Sequence, residues 1–216
     1  FAVQRGDKLS AADQKLWDES RRVDIEFIGV WDTVGSLGIP VGDNAVTRWI
    51  NRRWGFHDTD LSRYVENAFH ALAIDERRKP FQPTLWTRPD GWSGTLVQAW
   101  FPGVHSNVGG GYKPDGLANE ALHWILRKAQ SFGLDVDWEY LGHFEPHYES
   151  VLHDSMSLKY RVFGPGSRKI GAHPSDGECI HDAAVNRMNH AASSYGPKNL
   201  TEAALNLPVV KTDLDQ

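Results

Sequence analysis

The run from Thr95 to Tyr112 constrains the fold of this chain most strongly, because an apolar segment there meets a Pro-Gly turn, a histidine and three glycines. Residues 95–101 are apolar or favour β structure, which predicts a buried strand. The Pro-Gly dipeptide ends the strand, His105 follows, and the glycines at 109–111 allow close approach of a bound group. Because open α/β sheets bind ligands at the carboxyl ends of their strands, His105 is a candidate functional residue; a structural histidine is the alternative.

A second apolar run ends in an acidic residue. Residues 23–31 alternate at first and then become continuously apolar, which predicts a strand that enters a buried sheet. Asp32 follows this strand directly and begins a loop rich in glycine and proline. It therefore has the same kind of strand-end position as His105.

The remaining segments predict helices between such strands. Apolar spacing in residues 61–75 predicts an amphipathic helix, and Asp115 is a candidate cap for a helix that ends near Gly133. Further predictions are helices over 10–22 and 182–194, a loop over 77–94, a half-buried strand or extended arm over 155–162, and an ordered or frayed tail from 207. The pattern predicts an α/β fold with a mostly parallel sheet flanked by helices.

Length and composition limit the classes of function. With 216 residues, one domain over 1–216 is expected, with surface insertions at 41–60 and 135–155. The 23 basic and 28 acidic residues form no long run of either sign, which argues against a nucleic-acid partner. The single Cys179 excludes an internal disulfide framework and a cysteine-rich zinc site. Neither a signal peptide nor an apolar run of about 18 residues is visible, so the localisation stays open.

Asp32 and His105 follow the chain order of the last two members of a hydrolase triad. In such a triad the histidine takes the proton of the nucleophile and the carboxylate orients the histidine. α/β-Hydrolases order these residues as Ser, Asp or Glu, then His, with the Ser in a G-x-S-x-G elbow. Before Asp32 only Ser10 and Ser20 occur, both in the first predicted helix or at its cap. The residues 91–95 imitate the elbow but precede a strand. The sequence thus predicts the base, His105, and the carboxylate that orients it, Asp32, but no nucleophile.

Four ungapped runs, residues 27–38, 57–62, 68–78 and 100–112, carry a resemblance to a known family. They closely resemble an α/β-hydrolase family of bacterial and fungal proteins that includes the catalytic domain of type VI secretion phospholipase effectors. The resemblance extends over roughly residues 20 to 200. In that family the triad consists of a Ser in a Gly-x-Ser-Arg-Gly elbow, the Asp of a Trp-Asp-Thr motif and the His of a Pro-Gly-Val-His motif.

The resemblance places two triad members in this chain, Asp32 and His105. Because the first residue is Phe1 and no elbow is found, we expect the amino-terminal part of the fold, with the serine, in another chain or in a cleaved segment that stays bound. This isolated chain is then expected to be inactive. Asn107 stands where many members have Asp, which leaves the role of that carboxylate open. The residues expected to shape the site are Trp31, Thr33, Gly103, Gly109 and Gly110.

The resemblance implies a serine hydrolase of carboxylic esters, with phospholipids as substrates of the effector members. It implies no cofactor or metal. Possible partners are an immunity or secretion protein, and a bacterial member would be secreted by a type VI system. On this reading, His105→Ala or Asp32→Asn in the complete protein abolishes ester turnover with little loss of fold.

Several alternatives stay open. Asp75 or Arg77 is expected to brace the loop that carries His105 or Asp32, or else to belong to a charge cluster paired within itself at a helix end. His57 and Asp58 could join the strand-end pair around a metal, as in a metal-dependent hydrolase. A non-catalytic interaction module on a hydrolase scaffold is the competing function. The histidines predicted to lie at the surface are His143, His147 and His153.

Overall fold

A computed structural model of the protein describes residues 10–21, 23–34, 61–161, 164–200 and 206–212. The segment 41–60, predicted as a surface insertion, lies outside these residues. Within them, five parallel strands form one sheet in the order of the chain. The strands are β1 (Ile25–Trp31), β2 (Val65–Ala73), β3 (Thr95–Phe101), β4 (Glu178–His181) and β5 (Val209–Val210). The predicted α/β class with a parallel sheet is confirmed.

The helices lie between and beside these strands. They are α1 (Ala11–Glu19), α2 (His105–Val108), α3 (Gly116–Ser131), α4 (Trp138–Leu141), α5 (Leu158–Arg161) and α6 (Asp182–Asn189). Ser10 caps α1 as the sequence predicts, since its Oγ accepts from the Asp13 backbone N at 3.2 Å. Among the described residues, no helix is both long and apolar enough to cross a membrane.

The prediction of a helix over residues 61–75 is wrong, because β2 occupies Val65–Ala73. Leu61, Val65, Phe69 and Leu72 are spaced as on a helix face, but both faces of the segment are buried. A central parallel strand is covered on both sides, so it lacks the alternation that distinguishes a strand in sequence. β2 lies between β1 and β3 and thereby separates the strands that lead to Asp32 and His105.

Of the two alternatives for residues 155–162, a half-buried strand or an extended arm, the strand is wrong for the described residues 155–161. Residues 151–157 have no regular structure, and α5 forms one helical turn at Leu158–Arg161. The alternation there reflects a buried Met156 beside a Leu158 that is 80% exposed, not a strand face. The strand β4 was not predicted, because four residues with Glu and His in the run carry little β signal.

Both faces of the sheet carry a hydrophobic core. On one face Phe69 and Phe101 contact the Trp124 ring of α3 edge-on, at centroid distances of 5.8 and 5.5 Å. On the other face Leu72 and Trp100 pack in one cluster with Ala184 of α6. Packing on both faces holds the strands in place. The loops at their carboxyl ends can therefore carry functional residues.

Strand register brings the candidate residues together at the carboxyl ends of the strands. Trp31 at the end of β1 pairs with Ala71, and Phe101 at the end of β3 pairs with Ala73. Because the strands are parallel, Asp32 and the turn that follows Phe101 both lie at the carboxyl end of the sheet.

Candidate active site

Asp32 and His105 form a direct hydrogen-bonded pair. His105 Nδ1 lies 2.7 Å from Asp32 Oδ2, across the end of β2. The Asp32 side chain is fully buried, whereas 29% of the His105 side chain is exposed. When Asp32 binds Nδ1–H, Nε2 is the nitrogen left to accept a proton, which is the arrangement that general-base catalysis needs.

The backbone of Asp32 is held in a conformation that few residues adopt. Its φ is +42°, in the left-handed region that Asp tolerates better than most non-glycine residues. Asp32 N donates to Ala71 O at 2.7 Å, and Ala73 N donates to Asp32 Oδ1 at 2.9 Å. The end of β2 thus fixes both the backbone and the carboxylate of Asp32.

Arg168 is the third partner of the Asp32 carboxylate. Its two terminal nitrogens donate to Oδ1 at 2.9 Å and to Oδ2 at 3.0 Å. Burial alone would raise the pKa of Asp32, but the hydrogen bond from His105, the charge and hydrogen bonds of Arg168 and the Ala73 N–H outweigh it and lower the pKa to about 2. Arg168 could not be predicted from the sequence, since one arginine in the 164–169 loop carries no local pattern.

His105 begins the single turn of α2, and Asp75 holds the residues before it. Gly103 N donates to Asp75 Oδ2 at 2.7 Å, and Asp75 N donates to Gly103 O at 2.9 Å. Tyr195 O–H also donates to Asp75 Oδ2, at 2.8 Å. Burial raises the pKa of Asp75, although these hydrogen bonds act in the opposite direction. The structure places Asp75 against the His105 turn, at the end of β2 instead of the end of a helix.

The Arg77 side chain does not reach the pair. It binds Asp154 at 3.0 Å, with both side chains about half exposed. Only its backbone contacts the loop of Arg168, because Gly166 N donates to Arg77 O at 2.7 Å. Of the two residues predicted to brace the site, the structure therefore brings only Asp75 to the His105 turn.

Glu76 is a buried carboxylate that contacts the His105 backbone. Its Oε2 accepts from His105 N at 3.2 Å, and its Oε1 accepts from Ser155 Oγ at 2.9 Å. Arg78 donates to both oxygens of Glu76, at 3.0 and 2.9 Å. Burial raises the pKa of Glu76, but the hydrogen bonds and charge of Arg78 have the larger, opposite effect. The pKa of Glu76 is therefore lowered. Pairing within the charge cluster, one of the two alternatives considered, holds for Glu76 and Arg78.

Aromatic rings form one wall beside His105. The Phe81 ring contacts the His105 ring edge-on at 5.1 Å, and Tyr160 contacts Phe81 at 6.0 Å. The Arg78 guanidinium lies 3.5 Å from the centre of the Phe81 ring. The Phe81 ring thus borders the imidazole, and Tyr160 of α5 packs against Phe81.

The residues predicted to shape the site flank Asp32 and His105 in the chain, and their role stays a prediction. Thr33 N donates to the fully buried His70 Nε2 at 3.0 Å, and burial lowers the pKa of His70 to about 4, which favours the neutral form needed for that bond. Gly109 N donates to His105 O at 2.8 Å, and a β-carbon on Gly109 would lie 3.9 Å from that of Trp31. Gly110 has a φ of +89°.

Asn107 links the His105 turn to residues 151–153. Its Nδ2 donates to Val151 O at 3.1 Å, and its Oδ1 accepts from His153 N at 3.1 Å. A carboxylate at this position could not donate to Val151 O. His153 is half-buried and stacks on Tyr112 at 4.1 Å, so its prediction as a surface residue is wrong. The exposed positions predicted for His143 and His147 are confirmed.

The metal-site alternative is not supported by a cluster of ligands among the described residues. Within the described residues, no group of three or more His, Cys, Asp and Glu side chains could hold a metal ion. His57 and Asp58, the residues considered for this role, lie outside those residues.

Comparison with known proteins supports the resemblance. The sequence model of a family described as "T6SS, Phospholipase effector Tle1-like, catalytic domain" matches residues 4–128, which is more than half of the chain and includes both Asp32 and His105. The chain belongs to this Tle1-like family. Arg168 lies beyond the matched residues.

A yeast protein is similar in sequence to part of this Tle1-like chain. Uncharacterized protein YEL023C of Saccharomyces cerevisiae is 50% identical over 131 residues, which cover 53% of this chain and 18% of the yeast protein. The chain therefore spans less than a fifth of the length of that relative. No solved structure matches.

Proposed function

We propose that the Tle1-like chain supplies the base and the orienting carboxylate of a serine hydrolase that cleaves carboxylic esters. The observation that carries this proposal is the 2.7 Å contact between His105 Nδ1 and Asp32 Oδ2 on a partly exposed imidazole. Asp32 selects the tautomer with hydrogen on Nδ1 and stabilises the imidazolium that forms during the reaction.

His105 moves one proton in each half of the reaction. As a serine oxygen attacks the ester carbonyl, Nε2 takes the serine proton, and it then gives this proton to the oxygen of the leaving alcohol. Water hydrolyses the acyl-serine by the same route, with Nε2 again as base. Backbone N–H groups around the nucleophile hold the oxyanion of each tetrahedral intermediate.

We assign the nucleophile to a G-x-S-x-G segment outside these 216 residues. Among the described residues, no serine hydroxyl is hydrogen-bonded to His105, and Ser155 Oγ donates to Glu76 instead. Within the same residues, β1 is paired only on its β2 side, so its other edge is open to a strand that leads into such an elbow.

Phospholipids are the substrate class that we propose. The support is the family description as a phospholipase effector, together with the Phe81 ring beside the imidazole and the Tyr160 ring packed against Phe81, which suit an acyl chain. A role as a type VI secretion effector, with an immunity or secretion protein as partner, follows the same family description and is part of the proposal.

A fluorophosphonate probe tests the assignment in the complete protein that contains this chain. Peptide mass spectrometry should find the label on the serine of a G-x-S-x-G segment, and His105→Ala should reduce the labelling rate by at least about a hundredfold. His143→Ala, at an exposed histidine, is the matched control and should label normally.

Phospholipid vesicles provide the substrate test. Wild-type protein should release fatty acid, and the His105 variant should not. No labelling together with no ester turnover would favour the non-catalytic interaction module. Turnover that a chelator abolishes, without labelling of a serine, would favour the metal-dependent hydrolase.

A further inference from the structure

Arg168 is buried behind the Asp32–His105 pair and is tied to two separate segments. Its side chain and that of Asp32 are both 0% exposed, and the two residues are 136 positions apart in the chain. The nitrogen that binds Asp32 Oδ2 also donates to Phe81 O at 2.6 Å. Arg168 therefore fixes both the carboxylate that binds the imidazole and the backbone of the ring that contacts it.

One oxygen of Asp32 serves both the imidazole and the guanidinium. Oδ2 accepts from His105 Nδ1 at 2.7 Å and from Arg168 at 3.0 Å. The guanidinium also binds Oδ1, so it holds both oxygens of the carboxylate whose position sets the bond to His105.

The other charged groups near His105 have partners of their own. Glu76, which accepts from the His105 backbone, is paired with Arg78, and Arg78 also covers Phe81. Asp75 is bound by Gly103 N and by the Tyr195 hydroxyl. His70 lies on the Asp32 side and is buried in its neutral form. Arg168 is the described cation that binds the same carboxylate as His105.

We propose that Arg168 is a positioning residue, because its forked guanidinium holds the Asp32 carboxylate in the orientation that binds His105 Nδ1. This inference rests on the proposed function for its catalytic meaning.

Proton NMR of the His105 Nδ1–H in the complete protein reports the Asp32–His105 hydrogen bond without any need for turnover. Its signal should be observed in the wild type and should broaden or disappear by exchange with water in Arg168→Gln, because Asp32 is no longer held in place. Arg88→Gln, at an exposed arginine, is the matched control and should keep the signal. An unchanged signal in Arg168→Gln would overturn the positioning role.

Arg168→Lys separates position from charge. It keeps the cation but cannot donate in the forked geometry to both oxygens, so ester turnover at saturating substrate should fall roughly tenfold or more. Turnover equal to that of the wild type would overturn the positioning role.

Arg168→Lys also covers the case in which Arg168→Gln does not fold, since it keeps a cation beside the buried Asp32 carboxylate. Its Nδ1–H signal should be weaker than that of Arg88→Gln, and a signal equal to that of the wild type would mean that the inference fails. Failure of ester turnover in every sample, with these signals as expected, would refute the proposed function alone.

Discussion

Asp75 and Gly103 are joined by two hydrogen bonds that run in opposite directions. The Asp75 backbone N donates to Gly103 O at 2.9 Å, and Gly103 N donates to the Asp75 carboxylate at 2.7 Å. This reciprocal pair attaches the turn before His105 to the end of β2, the strand that also holds Asp32. One central strand therefore positions both members of the candidate pair.

Gly103→Ala should damage the site and the fold together. The φ of Gly103 is +118°, and an added β-carbon would lie 2.5 Å from the Asn107 β-carbon, so both backbone strain and a clash result. We expect a loss of about 2–4 kcal/mol of stability and most of the ester turnover. Gly133→Ala, with a φ of +93° and no atom within 4 Å of the added carbon, controls for strain alone and should keep turnover. Chemical unfolding and an ester assay report the two effects, and equal behaviour of the variants would refute the role of the close contact.

Tyr195→Phe should loosen the turn that carries His105. It removes the hydroxyl that donates to Asp75 at 2.8 Å and leaves a partly buried carboxylate with one donor fewer. The expected cost is about 1–3 kcal/mol of stability, with a severalfold decrease in turnover at saturating substrate. Tyr140→Phe, at a residue that is 61% exposed, should be neutral. Hydrogen exchange of the 102–108 peptide should rise only in the Tyr195 variant, and unchanged exchange would contradict the prediction.

Asp32→Asn and His105→Ala should differ in stability although both abolish turnover. Removing the Asp32 charge leaves the buried Arg168 guanidinium without its ion partner, which costs on the order of 3–5 kcal/mol. His105→Ala leaves that pair intact and should cost about 1 kcal/mol. The structure thereby changes the sequence-based expectation of little loss of fold, but for Asp32 only. Thermal unfolding compares the variants, and similar losses in both would argue against a buried ion pair.

Acid should destabilise the domain partly through His181. Its ring is fully buried, stacks on Phe101 at 4.1 Å, and has a pKa lowered to about 3 by burial and by the charge of Lys128. Because the folded-state pKa lies below the unfolded value of 6.5, the unfolded chain binds the proton more readily and stability is lost as pH falls below about 6.5. At pH 5 this amounts to about 2 kcal/mol.

Hydrogen exchange of β3 and β4 peptides at pH 7.5 and pH 5 measures this loss after correction for intrinsic exchange rates. His181→Gln should show a smaller decrease in protection between the two pH values than the wild type. His143→Gln, at an exposed histidine, should show the same decrease as the wild type. An equal decrease in all three proteins would exclude His181 as a source of the acid sensitivity.

Local sequence determined the elements whose signals are complete within one segment. The apolar run that ends at a Pro-Gly turn predicted β3 with the bounds Thr95–Phe101, and the apolar spacing after Asp115 predicted α3. The strand ends at Asp32 and before His105 were also predicted, because a buried strand followed by a loop breaker is a local pattern. Together with the motif order, these features predicted the family and the α/β class.

Tertiary structure decided the features that depend on residues far apart in the sequence. β2 is a strand because β1 and β3 pair with it and both of its faces are covered, which its helix-like spacing does not reveal. Arg168 and Asp32 are 136 positions apart and become partners only in the folded chain, so no local pattern marks Arg168. Glu76 likewise meets the His105 backbone through the adjacent ends of β2 and β3. Hydrophobic periodicity and turn chemistry act over a few residues, whereas buried charge pairing depends on which segments the fold brings within hydrogen-bonding distance.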